Sequence, residues 1–441
     1  MRSTKDIFSQ YQKYLKPYDP RFVSKDFLQL HRINLLLKEM GSPENNLIGV
    51  QVAGTKGKGS TVAFLQQILV EAGYKTGSFY SPYLVSPGER IMINGKPIAK
   101  IRVKAIADKM IPLLKTVGKK LGEQVTFFEF TTAIAIKYFA EEKVDIILLE
   151  VGLGGRLDAT TAVGLKNKII TNISYDHTKS LGKTITKIAG EKAGIIQKHD
   201  KVVTATSNRA LQVISNRAKT KKASLLVVDK DIKYSVRKVD LTGAYIDISC
   251  MGEGYKNLKL SLIGRHQAAN FACAFGMVQE LCKQGFVISP QNIVEAAGKT
   301  RHQARFHIWG KNPLTVLDGA HNLHSIRALV NVLRDIKVNP QKTVFVLSIK
   351  NTKKQIPSML RTLSDFSKKI ILPDVTNIYD LKDFYTTSQL KKRYPKAKVA
   401  SSLSKGIADA KKMVGKNGVV VITGSLYTIG EILKKDGGRK M

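Results

Sequence analysis

The chain has 441 residues, of which 43% are hydrophobic and 24% charged, and its formal net charge is +38 at pH 7. That length carries two or three domains with substantial cores, and the balance of apolar to charged residues excludes a disordered or fibrous chain. So basic a surface attracts anions such as nucleotides, phosphates, polycarboxylates or nucleic acid, but the lysines are dispersed in pairs such as Lys353-Lys354, Lys368-Lys369, Lys391-Lys392 and Lys411-Lys412. Without an aromatic-interleaved basic patch, solvated helix faces are expected and nucleic acid is not expected as a partner.

In chain order, Met1–Asp6 lacks the apolar core of a signal peptide and no apolar run approaches a bilayer span, so a cytoplasmic protein without a membrane partner is expected. A strand is predicted over 47–53 and a helix over 60–72, joined by Gly54-Thr55-Lys56-Gly57-Lys58-Gly59-Ser60-Thr61. Glycines at that junction let successive N–H groups point at one anion at a helix N-terminus. Lys58 adds a point charge for the β- and γ-phosphates, and Ser60 or Thr61 a hydroxyl for magnesium. The spacing departs from G-x-x-x-x-G-K-[ST], because Gly59 separates the lysine from the hydroxyl.

A helix over 126–142 leads to a strand over 144–151 that ends Glu150-Val151-Gly152-Leu153-Gly154-Gly155. Strand C-termini line the ligand crevice of a doubly wound sheet, so Glu150 is placed to hold magnesium beside a nucleotide. The strand over 168–174 delivers Asp176 and His177 to the same edge, where a neutral imidazole could join a mixed shell. A helix over 183–197 carries Glu191-Lys192-Ala193-Gly194; on residue type alone, Lys192 is a solvated last-turn cation.

Strands over 201–206 and 224–229 flank a helix over 209–222, and alternation with glycines over 232–262 predicts antiparallel hairpins. Cys250, Cys273 and Cys282, odd in number and without C-x-x-C spacing, read as buried thiols. Helices over 266–284 and 290–298 precede a domain boundary near 299–305. Beyond it come strands over 314–318, 343–349, 369–373 and 418–423 and helices over 322–337, 404–414 and 427–435. The strand 314–318 delivers Asp318-Gly319-Ala320-His321-Asn322, where Asp318 could accept from ribose hydroxyls and His321 meet a phosphate or carboxylate. The alternation predicts an α/β fold with mostly parallel sheets, divided into residues 1–299 and 300–441.

Taken in order, Gly54–Ser60, Ser81-Pro82 with Glu89-Arg90, Thr126–Thr131, Glu150–Gly155, Asp176–Gly182, Glu191–Ile195, His266–Asn270 and Asp318–Asn322 resemble the folylpolyglutamate synthase and dihydrofolate synthase family of the Mur ligase superfamily. The resemblance covers roughly residues 25–435. It implies an N-terminal P-loop ATP-binding domain of the Mur-ligase central type, a smaller Rossmann-like C-terminal domain, and a monomer acting on ATP, a folate or dihydropteroate, and L-glutamate.

By the same resemblance, Lys58 and its loop bind the ATP phosphates, Ser81, Glu150 and His177 hold magnesium, and Asn270 and Arg305 contact the nucleotide. Asp318 and His321 are the C-terminal contribution, and Phe128-Glu129 with Thr131-Thr132 lie on the substrate side. Lys192 changes meaning, since the matching lysine is commonly carbamylated and helps hold a second magnesium. Three departures stand out: Lys56 where the family has asparagine, His302-Gln303-Ala304 where Pro-Gly commonly precedes the arginine, and Tyr83 in place of histidine.

The implied reaction activates a carboxylate with ATP as an acyl phosphate, which the amine of glutamate then attacks. Two rivals are a cell-wall Mur ligase, disfavoured because only about 46 residues precede the first strand, and a basic nucleotide-binding protein that binds RNA.

Overall fold

Parallel pairing of six short strands builds the first half of the chain. In the computed structural model, which describes residues 8–17, 28–350, 355–375 and 384–436, β1 (Gly49–Ala53), β2 (Thr76–Phe79), β3 (Ile91–Ile93), β4 (Lys96–Pro97), β5 (Ile146–Glu150), β6 (Asn167–Ile170), β7 (Lys201–Thr204) and β8 (Ser224–Val227) form one sheet. Its order is β4-β3-β2-β5-β1-β6-β7-β8. Every pairing from β2 to β8 is parallel, and β3 and β4 add an antiparallel edge.

β1, β5 and β6 are buried at every position, as strands covered by helices on both faces must be. The helices Lys58–Glu71, Phe127–Glu141, Ile185–Ala193 and Asn208–Thr220 lie within a residue or two of their predicted spans, apart from the third, which ends four residues early at Ala193. β2 escapes a reading by pattern, because Thr76-Gly77-Ser78-Phe79 has one large apolar side chain; its place between β3 and β5 makes it a strand. The helices His31–Glu39 and Lys100–Leu121 were likewise not among the predicted elements.

The predicted hairpins are β9 (Ile232–Asp240), β10 (Gly243–Cys250) and β11 (Glu253–Leu260), a three-stranded sheet with β10 in the middle. Two-residue connections make neighbours antiparallel. Cys250 and Cys273 are buried free thiols, and Cys282 is half-buried.

The chain forms two compact units: residues up to 235 with 246–259 and 267–300, and residues 236–245 and 260–266 with those from 301 onward. The second unit holds β12 (His307–Lys311), β13 (Leu314–Leu317), β14 (Thr343–Leu347), β15 (Ile370–Pro373), β16 (Lys398–Ala400) and β17 (Val419–Thr423), in the order β12-β13-β17-β14-β15-β16. All its pairings are parallel except β12 with β13. Among the described residues no helix is long and apolar enough to cross a membrane. Met1–Asp6 and Lys353-Lys354 lie outside the described residues.

Candidate active site

The register of the first sheet brings the site residues to one edge. Val52 pairs with Glu150, Ala53 with Ile170, and Phe79 with Leu149. The glycine loop after β1, Ser81 after β2, Glu150 closing β5 and the Thr171–His177 segment after β6 therefore leave the sheet at its C-terminal side. Glu150 closes β5 and His177 lies on the segment that follows β6, and β5 and β6 are the two strands that flank β1.

The loop between β1 and Lys58 is shaped by two glycines. Gly54 has φ 146°, and a Cβ there would lie 1.8 Å from Thr171 Oγ1; Gly57 has φ 87°, and its Cβ would lie 2.1 Å from Asn270 Oδ1. Gly57 caps the helix Lys58–Glu71 in the left-handed region, which only glycine adopts freely. The loop is fixed from below: Thr55 N donates to Asn172 O at 2.7 Å and Lys56 N to Asn172 Oδ1 at 3.1 Å. Thr61 Oγ1 is buried and donates to Asn270 O at 3.3 Å, which ties the first turn of the helix to Asn270.

Lys58 Nζ lies 3.8 Å from Glu150 Oε1. The other carboxylate oxygen, Oε2, accepts from Ser81 N at 3.2 Å, and Arg90 donates to Ser81 Oγ at 3.3 Å. The Arg90 guanidinium also faces the rings of Tyr83, 5.3 Å away, and Phe127, 5.8 Å away. Burial, then the charge of Glu150, pushes the Tyr80 phenol up. Arg90 was legible only as part of a motif, with no role of its own.

Lys192 overturns its reading as a solvated cation. It is 4% exposed, and Nζ donates to Gly54 O at 2.8 Å and Gly154 O at 3.5 Å, bridging the glycine loops that follow β1 and β5. Burial first, then the positive charge of Lys58, pulls its pKa to about 7, against the opposing charge of Asp176. Its helix carries it there because Gly155 has no Cβ: one would lie 2.9 Å from Glu191 O.

Asp158, which sequence reasoning missed, organises the second glycine loop. Its Oδ2 accepts from Gly152 N and Leu153 N, both at 3.0 Å, and its Oδ1 from Thr160 N and Oγ1. The signal was an aspartate three residues beyond a glycine run, suited to capping the next turn.

His177 stands at φ 47°, and its side chain is 55% exposed. Among the described residues, no three His, Cys, Asp or Glu side chains gather closely enough to hold a metal. Magnesium needs less than such a cage, because one or two carboxylates complete its shell with phosphate oxygens and water, and Glu150 offers a buried carboxylate.

Glu129 is occupied structurally. It is 2% exposed, accepts from Arg32 Nε at 3.0 Å, and completes a capping box with Thr126. The hydroxyls of Thr131 and Thr132 both donate to Phe128 O.

Within the second unit, Asp318 Oδ2 accepts from Phe306 N at 2.8 Å and Oδ1 from Ala320 N at 2.9 Å. Burial pushes this carboxyl up, while those amides and the Arg305 guanidinium oppose the shift. Arg305 donates to Ala304 O at 3.0 Å. His321 Nδ1 lies 2.7 Å from Gly319 O; since a carbonyl only accepts, Nδ1 carries the proton. Asn322 caps the helix Leu323–Asp335 with a capping box.

Two family models match: the Mur ligase middle domain over residues 94–278 and the dihydrofolate synthetase C-terminal domain over 303–435. The chain is 34% identical over 415 residues to a Bacillus subtilis protein named dihydrofolate synthase/folylpolyglutamate synthase, covering 92% of this chain and 94% of that one. A Mycobacterium tuberculosis folylpolyglutamate synthase solved with ADP and AMPPCP superposes with a TM-score of 0.86 at 28% identity, covering 93% of this chain and 96% of that one. An Escherichia coli FolC in complex with DHPP and ADP gives a TM-score of 0.85 at 25% identity, with 99% of each chain covered.

Proposed function

This chain belongs to the dihydrofolate synthase/folylpolyglutamate synthase family and is an ATP-dependent ligase that adds L-glutamate to a folate; we propose that it works through an acyl phosphate, with the loop Gly54–Thr61 holding the triphosphate. The approach of Lys58 to Glu150 at the C-terminal edge of the sheet carries this reading. It sets a cation and a carboxylate beside backbone N–H groups at a helix N-terminus, which is what a nucleotide with a divalent ion requires.

The acceptor's carboxylate oxygen attacks the γ-phosphorus, the bond to the β–γ bridging oxygen breaks, and ADP leaves. The amine of glutamate then attacks the acyl carbon, loses a proton and expels phosphate. Lys58 and the loop amides hold the phosphates in line and neutralise charge that develops there. Ser60, Ser81, Glu150 and His177 would hold magnesium, which supplies further neutralisation of the phosphates.

Lys192 is suited to carbamylation. An amine with a pKa near 7 is substantially neutral in the cell, and a neutral amine attacks carbon dioxide, forming an N–C bond and releasing a proton. The product keeps one N–H, enough for the shorter bond to Gly54 O. Asn270 and, in the second unit, Arg305, Asp318 and His321 are the remaining nucleotide-side residues of this reading.

Both tetrahydrofolate and dihydropteroate are proposed as acceptors, supported by the double name of the B. subtilis relative. A cytoplasmic monomer is proposed, a compartment in keeping with cysteines that are free thiols. Glutamate-dependent phosphate release, measured with each acceptor separately, tests the assignment: release with both supports it, and release with one alone restricts it to that acceptor.

A further inference from the structure

We propose that Lys56 is a positioning residue for His177, acting through Asp176; the inference rests on the ligase reading above. Lys56 Nζ donates to Asp176 Oδ2 at 2.8 Å, and the other oxygen, Oδ1, accepts from His177 N at 3.0 Å. One carboxylate thus ties a phosphate-loop side chain to the histidine's own peptide. Both partners are mostly buried, with side-chain exposures of 21% and 15%, so the pair is shielded more than an ordinary surface ion pair.

The tie has something to hold. His177 has φ 47°, a left-handed conformation that non-glycine residues keep only where surrounding contacts enforce it. It also heads the helical turn Thr178–Leu181, whose Ser180 N and Leu181 N both donate to His177 O, at 3.0 and 2.9 Å. The imidazole of an otherwise exposed residue is therefore aimed by its backbone.

The contact also completes a seam. Thr55 N and Lys56 N bond to Asn172, and Thr55 Oγ1 both accepts from Ser174 N at 3.1 Å and meets Ser174 O at 3.2 Å. Backbone groups of the two loops are thus joined as far as residue 174, and the Lys56–Asp176 pair extends the seam to the histidine. A placement of the phosphate loop is in this way transmitted to His177, without Lys56 needing to touch a phosphate.

The test is a double-mutant cycle on the full chain, with Lys56→Met, Asp176→Asn, the double variant and Lys56→Arg, reading kcat, KM for ATP and nucleotide affinity at equilibrium. Each single variant is expected to lower kcat about tenfold with nucleotide affinity within about threefold of wild type. The double variant should lose no more than either single one, and Lys56→Arg should restore most of kcat. Additive losses, or a nucleotide affinity that falls while kcat holds, would overturn the inference and make Lys56 a phosphate contact instead. Lys56→Met is itself informative if Asp176→Asn fails to fold: unchanged kcat refutes the tie. A wild-type protein without turnover would overturn the ligase reading and this inference together, whereas additive losses in an active enzyme overturn this inference alone.

Discussion

Lys58 Nζ stands 3.8 Å from Glu150 Oε1, beyond hydrogen-bond reach, in a site where both side chains are largely buried. The pair is close enough for each charge to stabilise the other, and open enough for Lys58 to turn to a phosphate. Lys58→Ala is expected to lower turnover about 100-fold or more while the melting temperature stays within about 3 °C. Steady-state kinetics with a thermal melt check it, and near-normal turnover would contradict the phosphate role.

Gly57 tests the cradle through its backbone. With φ 87° and Asn270 Oδ1 lying 2.1 Å from where a Cβ would stand, Gly57→Ala should cost about 1–3 kcal/mol of stability and weaken nucleotide binding. Adding Asn270→Ala relieves the clash but not the φ strain, so only part of the stability should return. Chemical denaturation of the wild type, Gly57→Ala and the double variant measures this.

Carbamylation of Lys192 predicts a dependence on carbon dioxide. Enzyme stripped of bicarbonate should lose activity and regain it when bicarbonate is restored. The amine is pulled down to about 7, so protonation below that pH competes with carbamate formation and the bicarbonate response should grow as pH falls. Labelled bicarbonate should give a carbon-13 carbamate signal in the wild type that is absent in Lys192→Met.

Lys168 offers a stability test away from the site. It is fully buried on β6, donates to Gln51 Oε1 at 2.9 Å, and stands 4.0 Å from the buried Asp200. Burial pulls the amine from 10.5 to about 8 and pushes the Asp200 carboxyl up, so both lean towards their neutral forms. Between pH 8 and 10.5 the unfolded chain binds a proton at this lysine that the native state does not. Stability from this group therefore rises with pH across that window, by on the order of 3 kcal/mol. Denaturant midpoints of the wild type, relative to Lys168→Met, should climb from pH 8 to 10.

Much of this was legible in residue order. β1 and β5 declared themselves as apolar runs, the first followed by a glycine and the second closed by an acid, because strands buried on both faces have little choice of side chain. Lys58, Glu150 and His177 followed from where such strands end. Lys192 did not, since a lysine near a helix C-terminus looks solvated until a neighbouring glycine loop is seen to bury it. Lys168 was hidden inside a strand reading, and Asp158 beyond a glycine run. β2 was missed because its partners, not its side chains, make it a strand. The Lys56–Asp176 pair spans 120 residues of chain, a separation across which no local pattern reports contact.

The acyl phosphate at the centre of this account is tested most directly by isotope transfer. With an acceptor folate carrying oxygen-18 in its reacting carboxylate, ATP and glutamate, the released phosphate should contain one labelled oxygen per amide formed. Phosphate that carries no label would mean that the carboxylate never attacked the γ-phosphorus, and would contradict the account.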